Sequence, residues 1–283
     1  MFKQKIILAG MLAAVLPGAA LAADEVTMHK EDKHVIPPSA HTLTGNAGLF
    51  SQYIFRGLTQ TNEKPALQGG FDYSHSAGFY AGVWGSNISW ITDTVQPAPA
   101  GLSASLELDT YFGFKNSFAD DFTYDVGFLR YNYPGSYPAL FVKPDTNEIY
   151  GAIGYKWLTA KYSYSLGDTF GFAQARGTDY LDISANFPVA DTGITLGAHV
   201  GKQSYKGTNA ALWGASGCTN KCLDYTDYKL GVSKDFSGYV VGLAFTNTNA
   251  KAFAPDGVTA IYQNGFGKNI GRSETVLSVS KTF

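Results

Sequence analysis

The chain has 283 residues, of which 45% are hydrophobic, 14% aromatic and only 16% charged, with 32 glycines and a formal net charge of −2. So little charge, with no basic cluster, excludes the electrostatic footprint of a nucleic-acid binder. Beyond residue 22 no run approaches the ~18 consecutive apolar residues of a spanning helix, whereas aromatic and glycine enrichment suits a sheet protein with tight turns.

Residues 1–22 read as a secretory signal. Lys3 and Lys5 give the positive start, 6–18 an apolar core broken by Gly10 and Pro17, and Ala20-Leu21-Ala22 a small-x-small cleavage pattern. Cleavage before Ala23 leaves 19 basic against 23 acidic side chains, a net charge of −4. Residues 23–42 are polar, carry Pro37-Pro38, and are expected to form a flexible periplasmic tail. His29, His34 and His41 lie in it without metal-ligand spacing.

From Leu43 onward the period is two. Ala104, Leu106, Leu108, Thr110, Phe112 and Phe114 alternate with Ser103, Ser105, Glu107, Asp109, Tyr111 and Gly113, which makes one face apolar and the other wet. Leu181, Ile183, Ala185 and Phe187 repeat the pattern against Asp182, Ser184 and Asn186. Twelve strands follow, near 43–56, 67–76, 79–91, 103–115, 122–133, 146–157, 160–167, 178–187, 194–203, 225–234, 239–248 and 273–283. Most reach the ~9–11 residues that a tilted strand needs to cross an apolar band.

Connections alternate between short (around 77–78, 116–121, 158–159, 188–193 and 235–238) and long (57–66, 92–102, 134–145, 168–177, 204–224 and 249–272). Tight turns at one end and large loops at the other are the form of an outer-membrane barrel. An even strand number places both termini in the periplasm. The expected fold is therefore an all-β, transmembrane, antiparallel up-and-down barrel of about twelve strands over 43–283, in the outer membrane of a Gram-negative bacterium. The chain ends on Thr275-Val276-Leu277-Ser278-Val279-Ser280-Lys281-Thr282-Phe283, a strand that a closed barrel would pair with the first. It resembles the recognition strand of such barrels, which implies that Phe283 is an assembly signal for the barrel-assembly machinery.

Ser51-Gln-Tyr-Ile-Phe-Arg-Gly-Leu-Thr-Gln-Thr61, Pro65-Ala-Leu-Gln-Gly-Gly-Phe-Asp-Tyr73, Gly78-Phe-Tyr-Ala-Gly-Val-Trp-Gly-Ser-Asn87 and Ser280-Lys-Thr-Phe283 together resemble the TorF family of porin-like proteins. The resemblance implies an outer-membrane barrel and passive transport, with no cofactor and no defined substrate.

On the wet face, alternation places Arg56, Gln68, Asp72, Glu107, Asp109, Asp125, Glu148, Lys156, Lys161, Asp182, His199, Asp227 and Lys229. In a membrane barrel these line the lumen. Seven acids against four lysines and arginines suggest a mild preference for cations among the small polar solutes expected to pass; the plainer alternative is cross-strand pairing that holds the barrel's shape. Tyr53, Phe55, Trp84, Trp90, Trp157 and Trp213 are candidates for interfacial girdles or loop packing. Cys218 and Cys222 in an exported chain are expected to form a small loop disulfide rather than half a metal site. Catalysis has little support. Ser74-His75-Ser76 diverges across the strand, His199 stands alone on its own, and no GxSxG motif or phosphate loop appears. A plugged structural or partner-binding barrel is the alternative to a porin, and a barrel lipid hydrolase a more remote one.

Overall fold

The computed structural model describes residues 39–139 and 141–283. The expected signal segment 1–22 and the tail up to residue 38 lie outside the described residues.

Twelve antiparallel strands close into a barrel. They are β1 (His41–Phe50), β4 (Ala66–His75), β5 (Phe79–Asn87), β6 (Leu106–Phe118), β7 (Phe122–Asn132), β8 (Thr146–Tyr155), β9 (Leu158–Ser165), β10 (Asp179–Val189), β11 (Ile194–Ser204), β12 (Tyr225–Phe236), β13 (Tyr239–Thr248) and β14 (Glu274–Thr282). Each pairs with its barrel neighbour in sequence, and β1 closes the seam on β14 through Asn46↔Thr282 to Phe50↔Ser278. The backbone of Phe283 extends that seam, donating to Gly45 O at 2.8 Å and accepting from Gly45 N at 2.7 Å. Closure leaves no edge strand with unpaired amides.

The alternation decides what the barrel shows to its surroundings. Leu43, Phe71, Phe112, Leu230 and Leu277 all point outward and stay largely exposed, up to 73% at Leu43. Phe118, Phe122, Tyr155, Trp157, Phe187, Phe236 and Tyr239 ring the short-turn end, where Lys281 lies over the Tyr239 ring at 4.3 Å.

Two strand expectations are corrected. The first strand begins at His41, inside the expected tail, and ends at Phe50 instead of running to 56. Residues beyond it leave the wall and form a separate two-stranded hairpin, β2 (Ile54–Phe55) and β3 (Leu58–Thr59). Its tip is Arg56-Gly57, both at positive φ (45° and 77°), a turn geometry that brings the chain back on itself. The third expected strand stops at Asn87, and a single helical turn, Trp90–Asp93, follows.

Candidate functional site in the lumen

The hairpin folds into the barrel rather than over it. Arg56 Nη1 donates to Gln203 Oε1 on β11 at 2.9 Å, and Nη2 donates to Glu148 Oε2 on β8 at 2.8 Å and to the Tyr131 hydroxyl on β7 at 3.4 Å. Its guanidinium also lies 4.2 Å from the centre of the Tyr180 ring on β10. On the other side of the hairpin, the Tyr53 hydroxyl donates to Glu107 Oε1 on β6 at 3.1 Å, and its ring meets Trp84 on β5 edge-on. Gly57 passes so close to β12 and β13 that a Cβ there would sit 2.6 Å from Asp227 Cβ and clash with Thr248. One short segment therefore touches strands around most of the wall. Arg56 is at a hairpin tip in the lumen, not on a strand, and the Arg56–Glu148 ion pair is almost fully buried.

Glu107 and Asp109 are also buried beneath this hairpin, at 1% and 2% exposure. Asp109 Oδ1 has no protein partner among the described residues. With Tyr53, Phe55, Trp84, Ile88, Ile91, Tyr131 and Tyr133 they form a continuous packed mass in the loop-side half of the barrel. A second cluster, around Tyr205, Trp213, Leu223, Tyr225 and Tyr262, packs the large loops together. The Cys218–Cys222 disulfide borders it, so these cysteines brace a loop and are not metal ligands. At the rim, Glu63 accepts from Lys268 at 3.2 Å and Arg272 at 2.6 Å, tying the last large loop to the first.

Below the hairpin the lining changes. The Tyr111 hydroxyl donates to Asp72 Oδ1 at 2.5 Å, and the Tyr80 hydroxyl donates to Asp125 Oδ1 at 2.6 Å and meets the hydroxyl of Tyr150. These three rings lie across Gly82, Gly113 and Gly127 of adjacent strands, in space that a Cβ would occupy. The rings are thus held flat on the wall. Lys161 Nζ sits over the Tyr150 ring at 3.9 Å. Lys115, absent from the expected set, pairs in register with Asp125. The opposite wall carries small residues on the same inward phase, including Gly197, Gly231, Ser233, Gly242, Ala244 and Ser278. Lys229 shares that phase and is exposed.

His199 is not isolated. Ser184 Oγ lies 3.1 Å from its Nδ1, Asp182 Oδ2 lies 3.1 Å from Nδ1, and Asp227 Oδ1 lies 2.8 Å from Nε2. Tyr180 donates to Asp227 as well. Serine, histidine and aspartate therefore meet, through a register (Ser184↔His199) invisible to strand-by-strand reading. The strand holding Ser184 is paired on both sides, to β9 and β11, so its amides are committed to the ladder. Oxyanion donors come from backbone N–H groups or from side chains; here the ladder commits the amides, and the neighbouring Tyr180 hydroxyl already donates to Asp227.

Lys156 departs from the expected lining. It sits at φ 53° in the β8–β9 turn, half exposed, with Nζ 3.6 Å from Asp121 Oδ2. The turn ends the alternation two residues before the sequence pattern does. Of the aromatic candidates, Trp157 lies at the outer turn-side rim, Tyr53, Phe55 and Trp84 lie inside, and Trp90 and Trp213 pack among loops.

Similar solved structures are the OccAB3 protein of Acinetobacter baumannii (12% identity, TM-score 0.43, covering 88% of this chain) and the toluene transporter TodX of P. putida (10%, 0.45, 87%). OprD of Pseudomonas aeruginosa matches at 13% identity and TM-score 0.36 over 85% of this chain. The chain spans 65% of the length of OccAB3, 91% of TodX and 66% of OprD. No curated protein sequence matches. Residues 35–283 match the profile of a family described as bacterial proteins of unknown function (Gcw_chp), and the chain belongs to that family.

Proposed function

We propose that the protein is an outer-membrane channel for small solutes whose lumen is narrowed by its own first large loop. The observation that carries this reading is the division of the wall: the outer face is apolar and exposed, while Asp72, Glu107, Asp109, Asp125, Asp182, Asp227, Lys161 and His199 turn inward, and the outward lysines Lys202, Lys234 and Lys281 sit near strand ends. In water such an outer surface is untenable over this area, and in lipid a basic group on it would cost ~2–4 kcal/mol at the midplane. The TorF resemblance agrees with this reading. Residues 1–22 serve as the export signal and 23–40 as a periplasmic tail, the described chain ends face the periplasm, and Phe283 serves in assembly.

The cation preference loses most of its basis. Glu107 and Asp109 are sealed beneath the hairpin and Glu148 is paired with Arg56. Asp72, Asp125, Asp182 and Asp227 then share the inward phase with Lys115, Lys161 and Lys229, a nearly even balance.

The buried hairpin favours a second reading, a barrel closed at rest that conducts only when the hairpin moves. Conductance of the refolded mature protein in a planar bilayer separates the two. Discrete steps without any ligand support the constricted channel, silence from a heat-modifiable, folded barrel supports the closed one, and a protein that does not insert at all removes both.

A further inference from the structure

Above the hairpin the loops enclose a cavity of about 370 Å³. That volume lies within the ~300–1,000 Å³ typical of small-molecule pockets. Its walls are mainly rings and aliphatic chains, among them Phe55, Trp90, Phe141, Phe172, Ile261 and Tyr262. Among the described residues, neither lysine nor arginine lines it. The one carboxylate in the lining among the described residues is Asp93, whose Oδ2 already accepts from Ser89 Oγ at 2.6 Å. Arg56 lies behind the Phe55 and Phe170 rings, its charge met by Glu148.

The polar groups that remain are few and specific. Tyr133 and Tyr225 line the cavity, each 2% exposed, and their hydroxyls have no hydrogen-bond partner among the described residues. Trp90 Nε1, also in the lining, is buried without a protein partner among the described residues. Buried donors normally find one, so this N–H, together with the two unpaired hydroxyls, is available to something that enters. Gln263 adds a side-chain amide without a protein partner among the described residues. Most other polar side chains in the lining are engaged, Gln203 by Arg56 and Asp179 O, and Asn62 by Asn264.

We infer that this vestibule is a recognition site for a neutral, flat aromatic solute bearing amide-like or hydroxyl groups. The rings stack on its body, and the Trp90 N–H, the two tyrosine hydroxyls and Gln263 bind its polar edge. An anion is disfavoured, because it would be desolvated beside Asp93 with no cation in the lining. The site deepens the channel reading by naming what the channel admits. Phe55, Leu58 and Thr59 of the hairpin form part of its wall, so an occupant rests directly on the element that narrows the lumen.

The test is calorimetry of the refolded full barrel in detergent, with empty micelles as reference and benzamide, benzoate and glucose as probes. Benzamide is expected to bind about tenfold or more tighter than benzoate or glucose. Val142→Trp, at an exposed lining position, fills the cavity and should abolish benzamide binding; Ile261→Asp, which places a charge in it, should do the same. Either variant suffices if heat-modifiability shows the other unfolded. Equal binding of benzoate, or undiminished benzamide binding in the folded variants, overturns the site. Bilayer recordings on the same samples keep the two readings apart: binding without conductance under any condition removes the channel and leaves the site, and conductance without binding does the reverse.

Discussion

The two halves of this barrel share strands, yet they are built on different principles. The turn-side half keeps its tyrosines flat on the wall over glycines and faces them with glycine, serine and alanine. The loop-side half is packed like a protein interior, with Trp84, Tyr131, Tyr133 and Ile91 nearly inaccessible and a buried ion pair at its centre. Strand sequence alone does not produce this contrast, since both halves alternate in the same way. The difference comes from one hairpin that turns inward and replaces water with side chains. Width in such a barrel is set by what the loops place inside it as much as by strand number.

The strongest challenge to the comparison is removal of the hairpin. Replacing residues 54–59 with a short glycine-serine link should raise single-channel conductance severalfold and make the loop-side half resemble the turn-side half. If recordings show unchanged conductance, the limiting section lies elsewhere and the contrast has no consequence for flow.

Arg56→Met should come next. It leaves Glu148 buried without a cation, a change that costs about 3–5 kcal/mol in comparable pairs. Denaturant unfolding followed by heat-modifiability should show that loss, and adding Glu148→Leu should restore most of it, because an apolar replacement for both partners removes the stranded charge. Gly57→Ala is milder. It places a methyl against Asp227 and Thr248 at a positive φ, and should cost about 1–3 kcal/mol as overpacking while raising conductance by loosening the hairpin. The opposite manipulation belongs in the open half. At Gly231 a Cβ would make only ordinary contacts, at 3.4 Å or more, so Gly231→Trp should lower conductance without lowering stability.

The alternation that revealed the strands also explains what it concealed. Leu106, Glu107, Leu108 and Asp109 assign their own faces, and β6, β10 and β13 appear close to the expected bounds. The same rule misreads 51–56. A two-residue strand of a hairpin also alternates, so Tyr53 and Phe55 against Gln52 and Arg56 continue the pattern of β1 without being part of it. The signal that separates them is Arg56-Gly57, a turn pair within the run, both at positive φ in the fold. The His199 cluster was hidden for a different reason. Ser184, His199 and Asp227 sit on three strands, and their meeting depends on cross-strand register, which periodicity along each strand leaves undetermined. Tyr133 and Tyr225 keep the inward phase of Tyr131 and Asp227, so alternation does place them; what periodicity leaves undetermined is that the large loops close a cavity against them.

The smallest expected effect is at Lys156, and it sharpens the comparison by marking where the lumen stops. The sequence pattern counts Lys156 with the inward set because it keeps the even phase of Glu148. In the fold it occupies the turn after Tyr155, and the neighbouring Asp121 carboxylate holds its ammonium above the usual lysine range. A raised lysine pKa stabilises the charged form, so the pair persists at neutral pH and weakens only as pH rises through the lysine's own titration. Half exposed at a rim, the pair is screened and contributes little. Lys156→Gln should therefore leave the unfolding midpoint and the conductance unchanged at neutral pH, whereas Lys161→Gln, above the Tyr150 ring and beside Asp125, should alter ion flow. A conductance change from Lys156→Gln equal to that from Lys161→Gln would extend the lumen through the turn and erase the boundary that the two lysines define.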